Sequence, residues 1–184
     1  MKKSKIRVFA AKGMAMVMIG IMVLASASCG TAQELSMYSA DPQAVRGESY
    51  PPASLDTFKA VASSYGEVYD MSETFGCDAA AVSGESVSLV YLALKDEAEA
   101  MSMALGDKDL EGVSLDVVSS GSNYDYYEEI YQSNEQPDGG SFYGLYLRVD
   151  NVLILISGPL ADQDSVKAEA VDFYSQLGYP SCEK

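Results

Sequence analysis

From residue 54 onward, apolar side chains recur in two rhythms, one helical and one alternating. Leu55, Phe58, Val61, Ala62 and Tyr65 follow helical spacing, with Ser54 placed to cap the start and Gly66 to stop the end. "EVYDM" (67–71) has the pattern of a short strand. In "SVSLVYLAL" (86–94), Val87, Leu89, Tyr91 and Ala93 fall on one side and Val90, Leu92 and Leu94 on the other. A strand loaded on both sides belongs in the middle of a sheet. Asp96 then opens a second helix, "DEAEAMSMAL", with Ala98, Met101 and Leu105 as its inward stripe and Gly106 at its end. Val113, Leu115 and Val117 alternate with Ser114 and Asp116, the period of a strand.

Residues 119–142 show neither rhythm and read as a long loop, with a helical turn around "YDYYEEIYQ". The next pattern is sharper. "YGLYLRV", "DN" and "VLILIS" spell a hairpin, because Asp and Asn tolerate the left-handed backbone of a two-residue turn. Leu145, Leu147 and Val149 should face the core, with Tyr146 and Arg148 behind them. Val166, Ala170, Phe173, Tyr174 and Leu177 stripe a closing helix that Gly178 and Pro180 end. The element order, α-β-β-α-β-β-β-α, predicts an α+β fold. We expect an antiparallel sheet of about four or five strands with helices packed on one face.

Before residue 54 the pattern changes twice. Residues 30–53 are polar and broken by Pro42, Gly47, Pro51 and Pro52, the composition of a tether. Residues 1–13 carry Lys2, Lys3, Lys5, Arg7 and Lys12, and residues 14–27, "MAMVMIGIMVLASA", are apolar and then small. A basic stretch, a short apolar stretch and small residues make a secretory signal peptide. "ASA" (25–27) suits the ordinary signal peptidase. "SASC" (26–29), followed by Gly30, resembles the lipobox of Gram-positive bacterial lipoproteins, although the family places its apolar residue where Ser26 stands here. The resemblance implies cleavage before Cys29 and a diacylglycerol on its sulfur. Two acyl chains anchor stably where one does not. The alternatives are an ordinary secreted chain and an uncleaved anchor. The expected division is therefore a signal peptide over 1–28, a lipidated N-terminus and tether over 29–53, and a globular domain over 54–184. The capped opening helix, the "RVDNVLILI" hairpin and the closing "LGY" are similar to small uncharacterised lipoproteins of anaerobic Firmicutes and their relatives. That resemblance implies no activity and no site residues.

Charge narrows the partners. The leader holds five of the 12 basic residues and no acid, so seven basic residues face all 27 acidic ones in the remainder, a formal −20. Such a surface repels nucleic acid. The chain has no histidine, which removes Ser-His-Asp and Cys-His nucleophiles and His-ligated metals. It has no tryptophan. There is no Gly-rich phosphate loop and no EF-hand pattern. Carboxylate neighbours such as Glu128 and Glu129, or Asp162 and Asp164, are what so acidic a chain produces by chance. No cofactor and no metal site is expected.

Two groups of residues remain as candidates. With Cys29 lipidated, Cys77 and Cys182 make an even pair outside the cell, the setting in which disulfides persist. A bridge would close about 105 residues and stabilise by roughly 4–5 kcal/mol in the chain-entropy picture. The segment 124–146 holds six of the 13 tyrosines. On a loop, Tyr124, Tyr126, Tyr127 and Tyr131 would either pack that loop onto the sheet by alternate rings or form an exposed binding surface, since tyrosine offers large area and a hydroxyl. These features predict a surface-anchored lipoprotein on the extracytoplasmic face of a bacterial membrane, with a non-catalytic role, either binding a protein, peptide or glycan or serving as an accessory at the cell envelope. The alternative is a carboxylate-based hydrolase or metal-dependent enzyme. The first needs exposed, clustered tyrosines. The second needs acids converging in a cleft.

Overall fold

A computed structural model describes residues 48–106, 111–132 and 140–182. The expected signal peptide over 1–28, Cys29 and most of the expected tether lie outside the described residues.

The fold is one seven-stranded sheet with every neighbouring pair antiparallel. Its strands are β1 (Gly66–Asp70), β2 (Asp78–Gly84), β3 (Ser88–Ala93), β4 (Val113–Ser120), β5 (Tyr124–Tyr131), β6 (Phe142–Val149) and β7 (Val152–Pro159). They lie in the order β1-β2-β3-β7-β6-β5-β4. The helices are α1 (Leu55–Ala62), a single turn α2 (Ser72–Phe75), α3 (Glu97–Leu105) and α4 (Gln163–Gln176). A 3-10 turn, Leu160–Asp162, leads into α4.

An antiparallel sheet with helices is as expected, but the sheet has seven strands rather than four or five. The two extra strands are β2 and β5. β2 reads "DAAAVSG", and alanine carries little strand propensity. Here its small side chains suit burial on both faces: Ala80 and Val82 on one side, Ala79 and Ala81 on the other. The helices also occupy both faces rather than one. α1 and α4 cover the face bearing Leu89, Tyr91, Leu145, Leu147, Ile154 and Ile156. α3 covers the opposite face, with Ala100 and Ala104 against Ala79, Ala81, Val90, Leu92, Leu153 and Leu155. The sheet is loaded on both sides, so a helix is required on each.

Local chemistry explains most boundaries. Ser54 Oγ accepts from the Thr57 N–H at 3.2 Å and caps α1. Asp96 accepts from the Glu99 N–H at 2.9 Å and caps α3, whose first turn carries Glu97 and Glu99 where the helix dipole favours acids. The inward stripe of α3 is Ala100 and Ala104, not Ala98 and Met101 as the spacing predicts. The small side chains let the helix lie close to the alanines of β2. Gly66 does not end α1, which stops at Ala62. It opens β1 opposite Gly84, where a Cβ would stand 2.6 Å from the Ser83 carbonyl oxygen. The β6–β7 hairpin turns at Asp150 and Asn151 as predicted, with Asp150 at φ 50°.

The domain begins before Ser54. Tyr50 N–H donates to Asn123 Oδ1 at 3.0 Å, and Asn123 Nδ2 donates back to the Tyr50 carbonyl at 2.8 Å. Ala53 N–H donates to Tyr179 Oη at 2.7 Å, and Tyr91 Oη donates to the Ala53 carbonyl at 2.9 Å. Residues 48–53 thus form a strap seated on the domain, not free tether.

Candidate functional site

β5 is the strand that sequence reading takes for a loop, and it carries the candidate tyrosines. A strand turns alternate side chains to opposite faces. Tyr124 and Tyr126 therefore point with the α1–α4 face, and Tyr127 and Tyr131 with the other. Tyr126 is 0 % exposed and Tyr127 3 %. Tyr124 and Tyr131 are half-buried. The exposed cluster of Tyr124, Tyr126, Tyr127 and Tyr131 is not formed, because the sheet separates its members. The missed signal was the strand preference of tyrosine itself. It was masked because acids occupy Asp125, Glu128 and Glu129, positions that a half-buried strand ordinarily leaves apolar or exposed.

Those acids are held by internal partners. Across the β5–β6 register, Asp125 faces Arg148, Tyr127 faces Tyr146 and Glu129 faces Gly144. Arg148, 4 % exposed, donates from Nε to Asp125 Oδ2 at 2.9 Å and from Nη2 to the same oxygen. Its Nη1 donates to Glu97 Oε1 at 2.8 Å and to the Asp150 carbonyl at 3.3 Å. Burial alone would lower the guanidinium pKa. The hydrogen bonds and charge of Asp125 outweigh it and raise the value. Tyr127 Oη also donates to Asp125 Oδ2, at 3.2 Å. Burial first, then the Asp125 charge, pushes the Tyr127 phenol up to about 12. Further along the row Tyr146 Oη donates to Glu129 Oε2. Glu129 is 1 % exposed. Gly144 makes room here: a Cβ on it would come within 3.2 Å of Leu155 Cδ1 and 3.5 Å of the Tyr146 ring.

The opposite face has a smaller polar group. Tyr143 Oη donates to Glu128 Oε1 at 2.8 Å, and Lys167 Nζ lies 3.3 Å from the same oxygen. Burial, and then Glu128, raise the Tyr143 phenol pKa. Glu128 and Glu129, adjacent in sequence, thus point to opposite faces and do not converge. Asp162 and Asp164 are both exposed. Among the described residues no three potential metal ligands gather. No helix among them is long and apolar enough to cross a membrane.

Cys77 and Cys182 are not bridged. Cys182 is buried in the cluster beneath α4, whereas Cys77 packs with the cluster beneath α3. The sheet stands between those clusters, so the expected disulfide does not form in this structure.

No family model matches the chain, and no curated protein matches it. Among solved structures, a GTP-binding regulator from Thermotoga maritima is similar at 16 % identity with a TM-score of 0.40. The match covers 72 % of this chain and 92 % of that one.

Proposed function

We propose that the protein is a lipid-anchored domain on the extracytoplasmic face of a bacterial membrane, with a non-catalytic binding or accessory role. The observation that carries this reading is Cys29 at the end of a basic and then apolar leader, where a lipobox cysteine stands. The seated strap 48–53 supports it. The strap makes residues 30–47 the link between lipid and domain, a span of at most about 65 Å when extended. The strongly acidic remainder supports an aqueous exterior setting and disfavours nucleic acid. The ligand class stays protein, peptide or glycan.

The test is Cys29→Ser in the full chain. Wild type should sediment with membranes and carry a diacylglyceryl mass on Cys29. The variant should lose that mass and appear in the medium or as unprocessed precursor. Equal membrane retention of a Cys29→Ser chain whose leader has been cleaved, or a wild-type chain with no lipid mass on Cys29, would overturn the anchor.

A second reading, a carboxylate-based enzyme, has one observation on its side: Glu129 is buried in hydrogen-bonding contact with Tyr146. Glu129→Gln separates the readings. Retention of partner binding on intact cells supports the first. Loss of a hydrolytic activity, with fold and anchoring intact, supports the second.

A further inference from the structure

Thirteen tyrosines and no tryptophan give this core an unusual aromatic make-up. Four of the tyrosines touch in series. Tyr174 lies 5.4 Å from Tyr126, Tyr126 lies 6.0 Å from Tyr124, and Tyr124 lies 5.4 Å from Tyr50, all between ring centroids and all edge to face. The series runs from a fully buried ring outward to the strap. Its hydroxyls change partner along the way. Tyr174 donates to the carbonyls of Leu145 at 2.7 Å and Ile154 at 3.1 Å. Tyr126 donates to the Pro180 carbonyl at 2.7 Å. Tyr50, half-buried at the outer end, donates to the Glu48 carboxylate at 2.9 Å.

That change has a chemical consequence. A phenol loses an electron much more readily when its proton has a base to go to. An amide carbonyl is not such a base, and a carboxylate is. An oxidised interior ring therefore keeps its proton, stays high in energy, and takes an electron from the next ring. Among the four rings of the series, only Tyr50 has a carboxylate to take the proton as the electron leaves. Tyr143, which donates to Glu128, makes no ring contact with the series. We propose that Tyr174, Tyr126, Tyr124 and Tyr50 form a relay that carries a one-electron oxidation out of the core to the strap, where Glu48 receives the proton.

The balance is simple. A one-electron oxidant of the peroxyl or carbonate-radical class takes one electron from a ring of the series and is reduced to its anion. One electron passes inward along the series for each outward hop. At Tyr50 the O–H bond breaks, the proton binds a Glu48 oxygen, and a neutral phenoxyl remains. An external reductant of the thiol or ascorbate class returns one electron and one proton to the phenoxyl oxygen, and Glu48 releases its proton to water. Cys182 shares the cluster of Tyr126, Tyr143 and Tyr174, so the relay draws oxidation away from that sulfur and up to the surface.

The molecule contains its own control. Tyr69 is also half-buried and also donates to a carboxylate two residues before it, Glu67 Oε2 at 2.8 Å. No other aromatic ring among the described residues contacts it. Tyr69 and Tyr50 therefore match in exposure class and proton acceptor and differ in the relay. The experiment is photo-oxidation of the mature chain by a ruthenium sensitiser with persulfate, with oxidation products mapped residue by residue by mass spectrometry. In wild type, products should concentrate at Tyr50 well above Tyr69, with Cys182 spared. In Tyr124→Phe, which keeps the ring and removes the oxidisable phenol, the Tyr50 share should fall to that of Tyr69. Products at Tyr126, Tyr174 and Cys182 should rise. Glu48→Gln leaves every ring in place and should lower the Tyr50 share in the same way. Equal yields at Tyr50 and Tyr69 in wild type would overturn the relay. So would a Tyr50 share unmoved by either variant.

Discussion

The two faces of the sheet are closed by different chemistry. Under α1 and α4, rings and aliphatic chains fill the space: Phe58, Phe173, Tyr91, Tyr126 and Tyr174 interlock with the leucines and isoleucines of β6 and β7. The phenols of Tyr126 and Tyr174 there find backbone carbonyls, and that of Tyr143 finds Glu128. Under α3, alanines meet alanines over β2, Val90, Leu92, Leu153 and Leu155 lie beside them, and the ions Arg148 and Asp125, with Glu97, share the face. The first face gains stability by removing apolar area from water. The second must satisfy ions taken out of water, where the desolvation penalty offsets much of the attraction. The first should therefore tolerate polar loss and suffer from cavities. The second should suffer most when one charge loses its partner.

The broadest effect separating the faces is expected at alkaline pH. Tyr91 is raised to about 12 by burial, and burial raises Tyr126, Tyr143 and Tyr174 also, all on the α1–α4 face. The other face contributes Tyr127, raised to about 12. An unfolded phenol releases its proton near pH 10, while these hold theirs, so above pH 10 the unfolded state binds fewer protons. Stability is then full below about pH 10 and falls as pH rises through the folded values. Tyrosinate absorbance and far-ultraviolet circular dichroism should change together in one cooperative alkaline transition. Tyr126→Phe should move its midpoint upward by removing one raised phenol. Tyr91, Tyr126, Tyr143 or Tyr174 titrating singly, with the fold unchanged, would contradict this.

Next in size is Phe173→Ala. The ring is 0 % exposed and contacts Phe58, Tyr65 and Tyr174. Its loss should destabilise by about 3–5 kcal/mol in urea unfolding, since Tyr174, anchored to two carbonyls, and Tyr65, anchored to Asp172, collapse only partly into the cavity. Arg148→Met is the matching strike on the other face. It leaves Asp125 mostly buried with only the Tyr127 hydroxyl, and should destabilise by roughly 3 kcal/mol. Adding Asp125→Leu should restore much of that loss, because no buried charge is then left without compensation. A double variant weaker than Arg148→Met alone would show that the ions hold this face better than apolar groups can. Asp96→Ala, which uncaps α3, should destabilise by about 1 kcal/mol and be visible as faster amide exchange in that helix alone.

The two faces also differed in how far sequence could lead. More of the first face was readable: the Ser54 cap, the Leu89 and Tyr91 side of β3, the Asp150–Asn151 hairpin and the Phe173 face of α4, although Ala80, Val82 and Tyr126 on the same face were not. Apolar periodicity reports apolar burial directly. It is silent where burial is achieved by small or charged residues. β2 was invisible because three alanines carry no alternation. β5 was invisible because Asp125 and Glu129 face inward and read as solvent-exposed. For the same reason the tyrosines seemed free to bind, when their acids were already taken by Arg148, Tyr146 and Lys167. Only the pairing register joins Asp125 to Arg148, and a single sequence does not contain that register.

The smallest change tests whether the second face is a unit or a sum. Glu97 reaches Arg148 from the first turn of α3 with its own side chain 59 % exposed. An ion pair open to water at one end contributes under about 1 kcal/mol and weakens with salt. Glu97→Gln should therefore destabilise slightly at low ionic strength and negligibly at high. Its effect should vanish in the Arg148→Met background, since the shared guanidinium is the link between helix and sheet. If Glu97→Gln instead matched Asp96→Ala in size and persisted without Arg148, Glu97 would act through the α3 dipole. The clamp on that face would then be Asp125 alone.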